Sequence, residues 1–134
     1  MKIGIVIPAR LESERLPNKV LRDFFGMPMI EHVWRRAQFT NPKIEIVVAT
    51  DNNKIIEISR NFGAVTLKTS TQHTSGLSRV GEVSKILKWD YYIVLQADEI
   101  LVEPENLDRL HAEIVKYAEM PFFNLISSLD NLDE

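Results

Sequence analysis

"IEIVVATDNNKIIEISRNFGAVTLK", residues 44–68, decides the fold class. Ile44 to Thr50 is an almost unbroken apolar, β-branched run, the composition of a strand covered on both faces. Asp51 follows, placed to cap a helix in which Ile55, Ile58 and Phe62 share one face, and Gly63 ends that helix. "AVTLK", 64–68, then resumes the strand pattern. Strand, helix and strand in succession form a βαβ unit, and such a crossover joins parallel neighbours.

The alternation extends outward from this unit in both directions. "IGIVI" at 3–7 is a short buried strand, and after Gly26 and Pro28 the residues Met29, Ile30, Val33, Trp34 and Ala37 recur at helical spacing. Downstream, the loop "TSTQHTSGLS" (69–78) leads into a helix with Val80, Val83 and Leu87 on one face. "YYIVLQ" (91–96) is a fourth strand and runs into "ADEILVEP". Pro104 suits the first turn of a helix carrying Leu107, Leu110 and Ile114. "FFNLISS" (122–128) reads as a last strand before an acidic end. The expectation is one α/β domain over 1–134, three layers deep, with a mostly parallel sheet.

Composition narrows the function. The chain has 134 residues and a formal net charge of −3, from 16 Lys+Arg against 19 Asp+Glu. Broad nucleic-acid or anionic-membrane binding wants a basic surface, so neither partner is expected and any anion site must be local. Cysteine is absent, which removes disulfides and thiolate metal sites. The N-terminus reads as a strand rather than a leader, no apolar run reaches membrane-span length, and a cytoplasmic location is the default.

Ligands of parallel sheets sit beyond the carboxyl ends of the strands, so the loops after the first, third and fourth strands are the candidates. The first, "IPARLESERLPNKVL" (7–21), places Arg10, Arg15 and Lys19 within ten positions of each other, separated by Ser13 and by an Asn18 able to adopt left-handed backbone. Polyphosphate recognition needs cations and backbone N–H groups converging from such a loop. The plainer reading is a solvated loop in which Glu12 and Glu14 pair with the arginines. "LQADE" (95–99) ends a buried strand in two carboxylates that could hold Mg²⁺ beside phosphates, or could merely cap the next turn. "QHTSGLSR" (72–79) offers Ser75, Gly76 and Arg79 to a nucleotide, or is a turn with a helix cap at Ser78. His73 reads as a polar loop residue, and His32 and His111 lie in helix patterns without metal-ligand spacing. There is no G-x-G-x-x-G after the first strand. "GLSRVG" has Walker glycine spacing, but Glu82 and Val83 stand where Lys and Ser/Thr are required.

In order and spacing these pieces resemble the 3-deoxy-D-manno-octulosonate cytidylyltransferases, the CMP-KDO synthetases. Their opening IPAR-x-x-S-x-RLPGK-x-L corresponds to "IPARLESERLPNKVL", G-x-PMI-x-H-V to "GMPMIEHV", and the second strand to "VVATD"; "HTSGLSR" and "LQADEI" echo H-x-SGT-[DE]-R and QGDEP. The resemblance implies a Rossmann-like nucleotidyltransferase fold and transfer of CMP from CTP to an acidic eight-carbon sugar, with Mg²⁺ and release of pyrophosphate. It implies nucleotide contacts from Pro8, Ala9, Arg10, Ser13, Arg15, Lys19, Ser75, Gly76, Arg79, Gln96 and Asp98. Among these, Arg10, Lys19 and Asp98 would be catalytic and Asp98 would be the metal ligand. Leu77, Ser78, Ala97 and Ile100 depart from the pattern, and a Cβ at 97 is expected to crowd ligand approach to the backbone. The family is longer, its second half supplying sugar contacts, a further metal-binding acid and a homodimer interface. A truncated chain and a short diverged homologue both fit, and by itself the chain is expected to turn over slowly or not at all. The rivals are a nucleotidyltransferase of the spore-coat polysaccharide type and a non-catalytic nucleotide-binding or interaction module.

Overall fold

The computed structural model describes residues 1–11 and 18–118. In chain order these form β1 (Ile3–Pro8), a 3-10 turn (Lys19–Leu21), β2 (Asp23–Phe24), β3 (Met27–Pro28), α1 (Met29–Ala37), β4 (Glu45–Thr50), α2 (Asn53–Asn61), β5 (Val65–Lys68), α3 (Gly76–Leu87), β6 (Tyr91–Val94) and α4 (Pro104–Lys116). Four strands make a sheet in the order β5-β4-β1-β6, every pair parallel, with Ile5 opposite both Ile46 and Ile93. The expected last strand, 122–128, and the loop residues Ser13 and Arg15 lie outside the described residues.

Side chains alternate across a strand, so β1 faces two cores. Ile3, Ile5 and Ile7 pack with Ile30 and Val33 of α1, Ile55 of α2, and Leu107 and Ile114 of α4. Val6 faces the other way and joins Ala49 with Val80 and Val83 of α3. That is the three-layer arrangement the alternating pattern predicts. On the α3 side Gly4 leaves bare backbone for the Trp89 indole: a Cβ there would come within 2.2 Å of the ring. Among the described residues, no helix is long and apolar enough to cross a membrane.

Two local expectations are corrected. The cap of α2 is Asn52, not Asp51: its side chain accepts the N–H groups of Lys54 and Ile55 at 2.9 and 3.1 Å. The helix begins one residue later than the periodicity suggests, so the capping position shifts with it. The β2–β3 hairpin was not expected at all. Phe25 and Gly26 both have positive φ, +52° and +87°, the backbone of a tight two-residue hairpin turn. His32 donates a ring N–H to the carbonyl of Phe24 and ties the hairpin to α1.

The strand order places the site. From β1 the chain winds to β4 and β5 on one side, then crosses back through α3 to lay β6 on β1's other edge. The reversal opens a crevice at the carboxyl ends of β1 and β6, where open α/β sheets bind ligands.

Candidate functional site

A cleft of about 120 Å³ lies at that reversal. The end of β1 supplies Pro8, Ala9 and Arg10; the β5–α3 loop and the first turn of α3 supply His73, Ser75, Gly76 and Arg79; Gln96 comes from beyond β6. Among the described residues no carboxylate lines it. The N-terminal end of α3 adds the positive end of a helix dipole and free backbone N–H groups, both favourable to an anion. The volume falls below the ~300 Å³ of ordinary small-molecule pockets, so the described walls enclose less than a whole ligand of that class would fill.

Each wall has a local cause. Ser75 caps α3 by accepting the N–H of Ser78 at 3.1 Å, so the cap stands three residues before the Ser78 suggested by spacing. Gly76 starts the helix where a Cβ would sit 3.1 Å from Pro8 Cγ and 3.6 Å from Gln96 Oε1. Its missing side chain lets α3 close on the ends of β1 and β6. Arg10 is exposed, and among the described residues no partner neutralises it. Arg79 is only 3% exposed and donates from Nη1 to Thr69 Oγ1 at 2.5 Å and to the Ser70 carbonyl at 3.3 Å. Although it lines the cleft, its Nη1 is committed to holding the loop.

Lys19 and Asp98 stand outside this cleft and meet each other. Their Nζ–Oδ2 distance is 2.6 Å, and both side chains are roughly 40% exposed (39% and 40%). Asn18 does adopt the left-handed conformation, φ +61°, just before the turn that carries Lys19. The two carboxylates of "LQADE" separate in role. Glu99 Oε1 accepts the backbone N–H of Gln96 at 3.0 Å, as a turn cap would. Burial pushes the Glu99 pKa up, partly offset by that bond, with the adjacent Asp98 charge adding to the rise. Asp98 thus meets Lys19, and Glu99 meets the backbone of its own turn. Among the described residues no group of three or more His, Cys, Asp or Glu is placed to hold a metal ion.

The departures from the family pattern are accommodated. Ala97 is buried in the larger core beside Leu95, not against the cleft, so the expected crowding at that Cβ does not arise. Ile100 packs on the same core, and Leu77 points to solvent, 73% exposed.

Sequence reasoning undervalued His73 and Glu82. His73 lines the cleft; its Nε2 donates to Glu82 Oε1 at 2.7 Å, and Nδ1 lies 3.2 Å from Ser78 Oγ. Glu82 Oε1 also accepts the Ser70 N–H at 2.9 Å. The available signal was spacing: positions 79 and 82 share a helix face, so Arg79 and Glu82 reach the same loop. The Ser70 N–H first, then the His73 side chain, hold Glu82 below the usual carboxylate range. A depressed folded pKa contributes stability that is present above the ordinary glutamate value and is lost as pH falls through the lowered one. The Ser70 amide resonance is therefore expected to stay fixed through the ordinary glutamate range and to move only at lower pH. A midpoint at the ordinary value in an NMR titration would refute the contact.

Comparison with known proteins gives a consistent picture. A family model described as cytidylyltransferase matches residues 4–131. The 3-deoxy-manno-octulosonate cytidylyltransferase of Chlorobium phaeobacteroides is 43% identical over 108 residues, 81% of this chain and 44% of that protein. The enzyme of the same name from Coxiella burnetii is 34% identical over 137 residues, 100% of this chain and 55% of its own length. A solved structure of CMP:2-keto-3-deoxy-manno-octonic acid synthetase complexed with CTP superposes with a TM-score of 0.86 at 38% identity, covering 90% of this chain and 50% of that one. The fold is accordingly the Rossmann-like one of nucleotidyltransferases. The chain spans about half the length of the relatives it matches.

Proposed function

The chain belongs to the cytidylyltransferase family, and from that premise we propose that it is the nucleotide-binding portion of an enzyme that transfers CMP from CTP to a 3-deoxy-manno-octulosonate-type acidic sugar. The observation that carries this reading is the cleft itself. Arg10, the N-terminus of α3 and Gln96 converge at the sheet's switch point with no carboxylate among them. The relative solved with CTP shares this fold at a TM-score of 0.86.

In the reaction a sugar hydroxyl oxygen attacks the α-phosphorus of CTP. The bond from that phosphorus to the bridging oxygen breaks, pyrophosphate leaves, and the hydroxyl proton is lost to solvent or base. Negative charge gathers on the departing oxygens, and fixed cations lower its energy in the transition state. Arg10 and Lys19 are assigned to that role here, with Arg15 from the same loop by family resemblance. Ser75 and Gly76 present the start of α3 to the nucleotide, and the Gln96 amide is suited to a ribose hydroxyl.

The donor set fits Mg²⁺, which usually keeps one or two protein carboxylates and takes its other ligands from phosphates and water. Asp98 is the residue that would hold it. A bound Mg²⁺ supplies Lewis-acid neutralisation of the phosphate oxygens.

Isothermal titration with CTP tests the proposal. Arg10→Ala, Arg15→Ala and Lys19→Ala are each expected to remove a charge-assisted contact worth about 1.5 kcal/mol, roughly tenfold in Kd. Wild-type affinity in all three variants, or no binding by the wild type, would dismiss the assignment.

A further inference from the structure

Glu82 lines no part of the cleft, yet one of its atoms secures the loop that does. Oε1 accepts the Ser70 N–H and the His73 Nε2–H together. An ionised carboxylate only accepts, so the proton between it and His73 belongs to the ring. The other ring nitrogen faces Ser78 Oγ, and that hydroxyl lies 2.9 Å from the carbonyl of Ser75, the α3 cap. Ser78 Oγ has one proton: it donates to the Ser75 carbonyl while accepting Nδ1–H of a doubly protonated ring, or turns to donate to Nδ1 of a neutral one. In the first arrangement a chain of hydrogen bonds runs from Glu82 through His73 and Ser78 to the residue that opens α3 onto the cleft. The charged groups around His73 are Glu82 and Arg79 from α3 and Arg10 from the end of β1, while the β6 side presents the neutral Gln96.

The loop has little else to hold it. Of residues 69–75 only Thr69 is buried, and all the others except His73 are exposed. Arg79 fixes the loop's beginning at Thr69 and Ser70. In its middle the Gln72 N–H donates to Ser70 Oγ at 3.1 Å, a bond within the loop, and among the described residues His73 supplies the side-chain contacts to α3. A wall left loose must be ordered when ligand binds, and that ordering weakens affinity.

We infer that Glu82 is a positioning residue for the nucleotide cleft, fixing the His73 ring and the Ser70 backbone so that the β5–α3 loop keeps its shape. The inference rests on the CTP reading of the cleft, and the test separates the two. CTP affinity is measured by calorimetry on the full 134-residue chain, with the His73 ring nitrogens followed by NMR without nucleotide. E82A is expected to bind CTP about tenfold more weakly and to lose the hydrogen-bonded Nε2–H signal, with the far-UV spectrum unchanged. E82Q keeps an oxygen acceptor in the same place and is expected to recover most of the affinity. The double variant H73A/E82A should lose less affinity than H73A and E82A lose in sum, because part of what Glu82 does passes through the ring. S78A, which removes the Nδ1 contact and the bond to the Ser75 carbonyl together while leaving the Glu82 contacts in place, should also weaken binding, and it carries the test if E82A does not fold. Folded E82A with wild-type affinity and an unchanged ring signal would overturn the inference, as would wild-type affinity in S78A where E82A fails to fold. A wild-type chain that binds no CTP defeats the cytidylyltransferase reading, and the ring signal still decides whether Glu82 holds His73.

Discussion

Arg79→Ala is expected to destabilise the chain by about 2–4 kcal/mol, from one buried acceptor left unpaired and a cavity. The residue is 3% exposed and its Nη1 donates to Thr69 Oγ1 and the Ser70 carbonyl. Thr69 is itself buried, so its hydroxyl gains no water when the arginine is removed. The long side chain also leaves a void beside α3 that close-packed neighbours fill only in part. Arg79→Lys should rescue in part, since both bonds leave the single nitrogen Nη1 and an ammonium keeps its charge, while the shorter stem leaves some of the void unfilled. Urea unfolding reads the loss as a lower midpoint at unchanged slope. The experiment also separates two roles. If Arg79→Ala unfolds within 1 kcal/mol of wild type, as ordinary surface substitutions do, while CTP binding disappears, the arginine is a ligand contact and not the loop's anchor.

That distinction shows where the sequence stopped being informative. Buried strands and amphipathic helices repeat a physical period, so the βαβ pattern of 44–68 was legible, and with it the parallel sheet and the loops that matter. The β2–β3 hairpin was invisible because two-residue strands carry no period, and its turn uses Phe25-Gly26 in place of the usual Asn-Gly. Spacing brought Arg10, Ser75, Gly76 and Arg79 to one end of the sheet, the family resemblance added Gln96, and the cleft gathers all five. It could not tell which cation stays free. Arg10 and Arg79 are the same residue type, yet one is exposed and unpaired among the described residues while the other is buried in the loop it supports. Nor could it separate Asp98 from Glu99, since the bond from the Gln96 N–H that occupies Glu99 arises from the turn's three-dimensional path. Ala97 is a further case. One-dimensional comparison reads an added methyl as an obstacle to a ligand, whereas the backbone turns that methyl into the core.

Asp98→Asn should act with opposite signs in the presence and absence of metal. Without metal, Asp98 serves only as the partner of Lys19, at 2.6 Å and with both side chains about 40% exposed (39% and 40%). An exposed pair of that kind contributes about 0–1 kcal/mol, so the substitution should leave stability almost unchanged. It also frees the Lys19 ammonium and removes a negative charge from the surroundings of an incoming triphosphate. Affinity for CTP in EDTA should therefore hold or rise slightly. With Mg²⁺ the same change removes the carboxylate proposed to bind the ion, because Glu99 is already engaged by Gln96. Affinity for the metal–nucleotide complex should then fall about 100-fold, the upper end of the cost of losing a mere outer-shell partner of a metal. Calorimetry in paired buffers, with Mn²⁺ relaxation as a direct probe of the ion, gives both readings on one variant. An equal change with and without metal would mark Asp98 as a structural partner of Lys19 and nothing more. A drop confined to the metal-containing buffer would mean that the ion pair opens when the ligand arrives, Lys19 turning to phosphate and Asp98 to the cation.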